Sequence, residues 1–299
     1  MRLRTKVALA VAGWIALGVV LFLIFGSAGR NSQFQPQNEF KLDPWIPLKI
    51  GPIDVSITKA VLYLFLTTAL TVITMVWIAN RMAARPNRVQ TAVEAIYSLM
   101  RDNITQSNMQ RDMAARWFTF VGALFLFIWF SNLIGYLPLP VNSEETVQVF
   151  GVELPTFAIY AATANLSIPL MLTLVVWFSY HVEGIRAKGF RTYFREFVPG
   201  GTPKVMKPLL FVIELISHFV RIISLSVRLF ANLLAGHLLI LFMGGGMVVL
   251  LGLAAIGVFT LPVAIAFYVF EVVLIATLQA FIFATLTAIY LGSATEAGH

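Results

Sequence analysis

The feature that most constrains this chain is an apolar run over residues 207–243 that nevertheless carries charged and polar side chains. They are Glu214, His218, Arg221, Arg228, Asn232 and His237. An arginine at the centre of a bilayer costs roughly 2.5–3.5 kcal/mol on insertion scales, so charges inside membranes usually have a function. No acidic residue lies within one helical turn of Arg228. We therefore expect its counter-charge to come from another helix or another chain, and we favour another chain.

Helical geometry predicts that several of these polar side chains share one face of the helix. At about 100° per residue, five polar residues of this run, two of them serines, lie within about 40° of Arg228. They are Glu214, Ser217, Arg221, Ser224 and Asn232. His237 follows about 13.5 Å further along and on the opposite side. The helix thus offers polar side chains on two faces at two depths.

Composition predicts an all-α polytopic membrane protein with about five to six membrane helices. Of the 299 residues, 59% are hydrophobic and only 12% are charged, whereas soluble domains average about 25% charged residues. The chain has no cysteine, which excludes disulfides and thiol catalysis. Its net charge of +7 comes from basic residues in loops beside apolar spans, as orientation signals do, so we expect no nucleic-acid partner.

The N-terminal part predicts a span, an external segment and a second span. Residues 1–28 are interpreted as a membrane span or signal segment, since residues 7–25 are uncharged and the small residues 26–28 permit cleavage. Residues 29–57 are polar and proline-rich and are expected outside the membrane. Residues 58–79 form a second span, followed on the cytoplasmic side by Arg81, Arg85 and Arg88.

The middle of the chain predicts an amphipathic surface helix and two further spans. Residues 88–112 have apolar positions spaced at three or four. A third span covers residues 117–137, and the loop after it is acidic, with Glu144, Glu145 and Glu153. A fourth span covers residues 155–180. Residues 181–207 then carry six basic and two acidic residues, which places this loop in the cytoplasm.

The last two apolar segments are too long for ordinary spans. Residues 207–243 would form a helix of about 55 Å, against a hydrocarbon thickness of about 30 Å, and residues 247–292 are longer still. We predict a hairpin of two long, strongly inclined helices over residues 207–292, closed by a turn at residues 244–246, with a kink permitted at Pro262. Residues 58–299 would then form one membrane domain.

The second long segment contributes Glu271 and Gln279, which lie about 80° apart around a helix axis. If the hairpin closes at residues 244–246, Glu271 can face His237. A carboxyl group and an imidazole in such a setting can exchange protons.

Several polar residues also have a structural interpretation. Glu214 can pair with Arg221 or Lys207, and a single histidine such as His218 is more often a packing residue than a ligand. Asn132 and Asn165 can hold helices together. The sequence has no phosphate-binding glycine loop, His-Glu-x-x-His pattern or Gly-x-Ser-x-Gly motif. We therefore expect no catalytic residues, cofactor or metal.

The sequence from Ser224 to Asn232, followed by Ala235-Gly236-His237, resembles the signature of subunit a of rotary F-type ATP synthase. Three further stretches resemble other sequence motifs of that family, at residues 278–283, 132–138 and 184–208. Together the resemblance covers roughly residues 55–292.

The resemblance implies a non-catalytic stator subunit of a complex that synthesises ATP. Its partners would be a rotating ring of c subunits, the b subunits of the peripheral stalk, other ATP synthase subunits and the lipid bilayer. Protons would cross through two offset half-channels. The membrane would be the bacterial inner membrane, ahead of the mitochondrial one. Sodium coupling stays open, because ion choice depends mostly on the ring.

The resemblance also assigns roles to individual residues. Arg228 matches the arginine that attracts the ring carboxylate and separates the half-channels, and Asn232 matches an amide one turn later. His237 matches an ionisable position of the outer half-channel, and Glu214 an acidic position on the cytoplasmic side. Gln279 matches a glutamine close to the arginine. The predicted proton pathway comprises Glu214, His218, Ser224, Arg228, Asn232, His237, Glu271 and Gln279.

Two departures from the family pattern stand out. Glu271 precedes Gln279 by eight residues, where seven are expected, which would be Val272. Equivalence would require a local bulge or a different rotation. A retained span at residues 7–25 would give six membrane helices, where the bacterial subunit has five.

Two other function classes compete with this interpretation. A secondary transporter could bind an anionic or protonated substrate at Arg228 and Glu271, although such folds usually show internal repeats and none is found here. A haem-binding electron carrier could use His181, His218 and His237. Purification with a ring of small hairpin proteins would favour the stator subunit over the transporter, and absence of a visible Soret band would dismiss the haem carrier.

Overall fold

The computed structural model describes residues 3–25, 38, 40–51, 53–81, 87–142, 146–149, 151–198, 200–246 and 254–295. Several predictions concern residues outside these ranges. They are the cleavage stretch 26–28, most of the proline-rich segment up to residue 37, Arg85, Glu144, Glu145 and the start of the second long segment at residues 247–253.

The described residues are mainly helical, which confirms the predicted all-α membrane fold. The α-helices are α1 (Leu3–Phe25), α2 (Lys59–Arg81), α3 (Arg88–Ser98), α4 (Arg111–Gly135), α5 (Ser167–Lys188), α6 (Phe190–Arg195), α7 (Lys207–Leu241), α8 (Ala254–Phe270) and α9 (Ala276–Thr295). Three π-helical segments continue them, at Leu99–Gln106, Phe242–Gly246 and Glu271–Ile275.

Short antiparallel strand pairs occupy the residues before α2 and the segment between α4 and α5. The strands are β1 (Pro44–Ile46), β2 (Lys49–Ile50), β3 (Ile53–Asp54), β4 (Ile57–Thr58), β5 (Leu139–Pro140), β6 (Thr146–Val149), β7 (Val152–Pro155) and β8 (Phe157–Ala158). β1 pairs with β4, β2 with β3, β5 with β8 and β6 with β7. The β6–β7 hairpin turns at Gly151, whose φ of 82° suits glycine.

Five helices among the described residues are long and apolar enough to cross a membrane. They are Lys59–Asn80, Arg111–Gly135, Ser167–Lys188, Lys207–Gly244 and Thr260–Thr295. The helix α1 adds a shorter apolar stretch, Val11–Val20. The prediction of about five to six membrane helices is therefore confirmed, and the chain is a multi-pass membrane protein.

The chain divides into two compact units. The larger unit comprises Pro44–Tyr136, Ala161–Ala231 and Ala276–His299. Within it α4 packs against α2 and α9, and α5 packs against α6 and α9. The predicted amphipathic helix is α3 with its π-helical continuation, whose buried Met100 and Ile104 lie on the side that packs against α4.

The smaller unit comprises Met1–Asp43, Leu137–Tyr160 and Asn232–Ile275. Within it α1 packs against α8, and α8 also contacts the π-helical segments at Phe242–Gly246 and Glu271–Ile275. The hairpin β6–β7 and the pair β5–β8 belong to this unit as well.

The predicted single long helix over the first apolar segment is confirmed, because α7 runs unbroken for 35 residues. Its length of about 52 Å exceeds a hydrocarbon core of about 30 Å, so it must be inclined if it stays within the bilayer. The predicted turn at residues 244–246 is wrong for those residues, which are π-helical. Pro262 lies inside α8 without ending it.

The fourth span begins later than the sequence predicts. Residues 155–166 are apolar but contribute to β7, β8 and a 3₁₀ turn at Ala162–Ala164, and α5 starts only at Ser167. The Asn165 side-chain oxygen accepts a hydrogen bond from the Ser167 amide at 3.0 Å, an Asx turn directly before the helix. Pro169 lies in the first turn, where its missing N–H removes no helical bond. The helix then continues to Lys188, eight residues beyond the predicted end at 180.

Candidate functional site

Arg228 lies on an exposed, largely apolar face of α7. Its side chain is exposed, as are those of Ser224 and its neighbours Ile223 and Val227. The opposite face is buried through Ile222, Leu225 and Leu229. Among the described residues, Arg228 forms no ion pair and no hydrogen bond. Its positive charge is therefore available to a group from outside the described chain.

Glu214 and Arg221 form an ion pair on α7, about two to four helical turns before Arg228. The Glu214 carboxylate lies 3.7 Å from an Arg221 guanidinium nitrogen and 3.7 Å from Nε2 of His218. Glu214 and Arg221 are about one third exposed, so this loose ion pair contributes little to stability. The arrangement agrees with the structural interpretation of Glu214 as a partner of Arg221.

His218 and His181 lie in a buried aromatic and polar cluster. Nδ1 of His218 is 2.9 Å from the hydroxyl of Tyr180, and Nδ1 of His181 is 2.6 Å from the hydroxyl of Tyr193. Burial raises the pKa of Tyr193 to about 12 against the opposing charge of Arg221, so its hydroxyl keeps its proton at neutral pH. The Arg221 guanidinium lies over the Tyr290 ring, 5.1 Å from its centre.

His237 is completely buried within the smaller unit. Its Nδ1 lies 2.9 Å from the Leu233 carbonyl oxygen. Because a carbonyl oxygen can only accept, Nδ1 of His237 donates this hydrogen bond. The Phe40 ring meets His237 edge-on at 6.4 Å and also lies 6.5 Å from Tyr160. His237 is thus a buried imidazole packed against an aromatic ring.

Glu271 packs against the helical turn that carries His237. A Cβ placed on Gly236 would come within 2.5 to 2.7 Å of the three carboxyl atoms of Glu271. The carboxyl group therefore occupies the space that any side chain at position 236 would need. Glu271 is itself buried, with 8% of its surface exposed. The Glu271 carboxyl group thus lies against the residue that directly precedes His237.

The eight-residue spacing between Glu271 and Gln279 contains a π-helical turn. The segment Glu271–Ile275 is π-helical, and the α-helix resumes at Ala276. A π-turn holds one residue more than an α-turn, so it absorbs the extra residue that the sequence pattern leaves unexplained. The local bulge required for equivalence with the family position is therefore present. Gln279 is buried on α9.

Asn132 has a structural role in the larger unit. Its amide donates to the Ala276 carbonyl at 3.3 Å, and its side-chain oxygen accepts from the Thr163 hydroxyl at 3.0 Å. The neighbouring Trp129 indole donates to the Thr277 hydroxyl at 3.1 Å. Asn132 thus ties α4 to the start of α9, as the structural interpretation predicts.

Comparison with known proteins adds independent information. The family model described as ATP synthase A chain matches residues 61–292. The chain belongs to the ATP synthase A chain family. Relatives named ATP synthase subunit a include one from Parvibaculum lavamentivorans, 33% identical over 275 residues, which are 91% of this chain and 97% of the relative. One from Bradyrhizobium diazoefficiens is 34% identical over 89% of this chain and 100% of the relative.

The structure distributes the predicted site residues over the two compact units. In the larger unit, Glu214 and His218 meet, and Ser224 and Arg228 are exposed on one helix. In the smaller unit, Glu271 packs beside the turn that carries His237, and Asn232 is exposed. The sequence did not indicate Gly236 as the residue that makes room for Glu271. In the sequence, the one indication of this role is that the glycine directly precedes His237.

Proposed function

We propose that this chain is the proton-translocating stator subunit of the membrane sector of an F-type ATP synthase. It acts beside a rotating ring of c subunits and is held by the b subunits of the peripheral stalk, in the bacterial inner membrane. Membership in the ATP synthase A chain family supports this assignment, as do its membrane-capable helices. The catalysis of ATP synthesis belongs to other subunits.

The observation that carries the proposal is the exposed, unpaired guanidinium of Arg228 on an apolar helix face of the described chain. A bare charge on such a face is costly in a bilayer, so a carboxylate from a facing protein is its natural partner. The exposed apolar side chains of α7 offer a contact surface for that protein. They include Val212, Ile216, Phe219, Val220, Ile223 and Val227.

The proton pathway divides into two groups on either side of Arg228 in the sequence. His237 and Glu271 exchange protons with the outer side, and Glu214 and His218 with the cytoplasmic side. A guanidinium does not lose its proton under physiological conditions, so Arg228 blocks direct transfer between the groups where a lysine or histidine could relay it. Protons then cross only when the ring carries them from one group to the other.

Replacing Arg228 with alanine tests the proposal. In the intact complex reconstituted into vesicles, Arg228→Ala abolishes ATP-driven proton pumping, while the catalytic head detached from the same preparation hydrolyses ATP at the normal rate. The matched control is Arg116→Ala, since Arg116 is exposed and makes only a long contact of 3.5 Å with Glu183. Pumping that persists in Arg228→Ala contradicts the proposal.

A further inference from the structure

The short helix α6 lies in the basic loop over residues 181–207, which the sequence predicts to be cytoplasmic. Its Tyr193 is buried, and the Tyr193 hydroxyl lies 2.6 Å from Nδ1 of His181 on α5. Just after α6, the Phe197 ring stacks on the His218 ring of α7, with ring centres 4.8 Å apart. Both α5 and α7 are long and apolar enough to cross a membrane. One side of α6 is therefore anchored against two helices of the membrane region.

The other side chains of α6 change from apolar to basic around the helix axis. At about 100° per residue, Phe190 and Phe194 lie about 60° and about 100° from Tyr193. Arg191 and Arg195 lie about 160° and about 200° from Tyr193, on the opposite face. The Phe190 side chain is 65% exposed, and its ring lies 4.9 Å from the Phe194 ring. The anchored helix thus presents a phenylalanine pair beside an arginine pair.

The arginine pair has no counter-charge within the described part of the chain. Arg191 and Arg195 are exposed, and neither forms an ion pair or a hydrogen bond with a described residue. The acidic residues of the loop have other partners, because Glu183 pairs with an arginine of α4 at 3.5 Å and Glu196 pairs with Lys188 at 2.7 Å. The positive charge at α6 is therefore unopposed. The other exposed basic residues of the loop are Arg186, Lys204 and Lys207.

Membrane orientation explains the basic residues of this loop but not the phenylalanine pair. Basic residues keep a loop in the cytoplasm whether or not aromatic side chains lie beside them. Aromatic side chains next to basic ones are typical of amphipathic surfaces that lie in the membrane interface. The cytoplasmic leaflet contains anionic lipids, which attract arginine near its surface. A guanidinium can donate two hydrogen bonds to one phosphate group, and a phenyl ring can contact the acyl chains below that phosphate.

We propose that α6 binds the headgroup of an anionic phospholipid of the cytoplasmic leaflet. Arg191 and Arg195, one helical turn apart, hold the phosphate, and Phe190 and Phe194 contact the upper part of the acyl chains. The phenylalanine pair favours a lipid over free phosphate, which has no apolar part to cover the rings. The lipid site requires the loop to lie at the cytoplasmic membrane surface but does not depend on the proton pathway.

Photolabelling by lipids in the intact complex tests the lipid site. The complex is reconstituted into phosphatidylcholine vesicles that contain a small fraction of phosphatidylglycerol with a photoactivatable acyl chain. After illumination, the labelled peptides are identified by mass spectrometry. We expect label on the peptides that contain α6. The same photoactivatable chain on phosphatidylcholine, in vesicles without anionic lipid, should label α6 only weakly.

The double variant Arg191→Gln/Arg195→Gln removes the arginine pair. Each basic residue near an anionic membrane surface strengthens binding by about fivefold, so the phosphatidylglycerol label on α6 should fall at least about tenfold. The matched control is Arg186→Gln/Lys204→Gln, which removes the same charge from the loop outside α6 and should keep most of the label. Phe190→Ser keeps both guanidinium groups and should also reduce the label, because it removes apolar contact with the acyl chains.

Equal labelling of α6 by the two lipids would overturn the lipid site, because the headgroup would then not be recognised. Equal losses of label in the two double variants would also overturn it, since the charge of the whole loop would then attract the lipid. If α6 carries no lipid label and Arg191→Gln/Arg195→Gln loses a neighbouring subunit, the arginine pair binds an acidic protein surface instead. These outcomes are separate from that of Arg228→Ala, which tests the proposed function.

Discussion

At the scale of single residues, Gly236 sets the position of a buried carboxyl group. The Glu271 carboxyl lies where a Cβ of residue 236 would be, and the next residue is the buried His237. Glycine in a helix interior costs roughly 0.5–1 kcal/mol relative to alanine. The close approach of Glu271 gives a physical reason for accepting that cost.

We predict that Gly236→Ala impairs transport through this carboxyl group. The new methyl group would lie about 2.5 Å from the Glu271 carboxyl carbon, so Glu271 must move. Overpacking of this kind typically costs about 1–3 kcal/mol. In vesicles that contain the intact complex, ATP-driven proton pumping should fall by about tenfold or more, while the amount of assembled complex changes little.

The control for this variant is Gly122→Ala on α4. A Cβ at Gly122 would meet the nearest atom, Sδ of Met100, at 3.5 Å, which is an ordinary contact. Both variants add the same methyl group to a helix, but only one displaces a carboxyl group. Equal pumping in Gly236→Ala and the wild type would contradict the role given to this glycine.

At the scale of elements, the π-helical segment Glu271–Ile275 separates the carboxyl group from the helix that carries Gln279. Most of the residues in the segment are exposed or half-buried, whereas Glu271 at its start is buried. Single π-turns inside α-helices are rare and often found at functional sites. The segment sets the rotation of Glu271 about the helix axis.

We predict that deleting Val273, an exposed residue of this segment, abolishes proton pumping. Removing one residue converts a π-turn into an α-turn, which rotates Glu271 about the helix axis by about 100° relative to Gln279. The substitution Val273→Ala keeps the residue count and should pump normally. Both variants are measured in vesicles for ATP-driven pumping, with the assembled complex quantified by its bound ATPase activity. Pumping by the deletion variant would show that the π-turn has no such role.

The sequence predicts the elements that depend on composition and misses those that depend on local pairing. The long α7 was predictable because residues 207–243 contain only Pro208 and Gly236 as weak helix formers before the glycines at 244–246. The late start of α5 was not, because residues 155–166 are apolar enough for a helix. Strand pairing and the Asx turn at Asn165 decide that segment.

For the candidate site too, the sequence predicts single residues but not the contacts that depend on how helices fold together. Arg228 was identifiable because an unpaired arginine in an apolar run is costly. The contact of His181 with Tyr193 was not, because it depends on how α6 folds back beside α5. Gly184 permits this contact, since its lack of a side chain lets the Tyr193 ring approach α5 closely.

At the scale of the whole molecule, charge determines how the chain is oriented in the membrane. The loop over residues 181–207 holds six basic and two acidic residues, whereas the loop after the third span is acidic. Basic loops stay in the cytoplasm. The absence of cysteine from the sequence makes this orientation directly testable, because a single introduced thiol is the only reactive one.

We predict that Lys49→Cys and Lys204→Cys are labelled from opposite sides of the membrane. Both lysines are exposed, Lys49 in the segment expected outside and Lys204 in the basic loop expected inside. A membrane-impermeant maleimide is added to cells whose inner membrane is intact but whose outer layers have been removed, and it should label Lys49→Cys only. In inverted vesicles, the same reagent should label Lys204→Cys only. The unmodified chain, which has no thiol, is the control for background. Labelling of both variants from one side would contradict the orientation and, with it, the placement of Glu214 and His218 on the cytoplasmic side of the proton pathway.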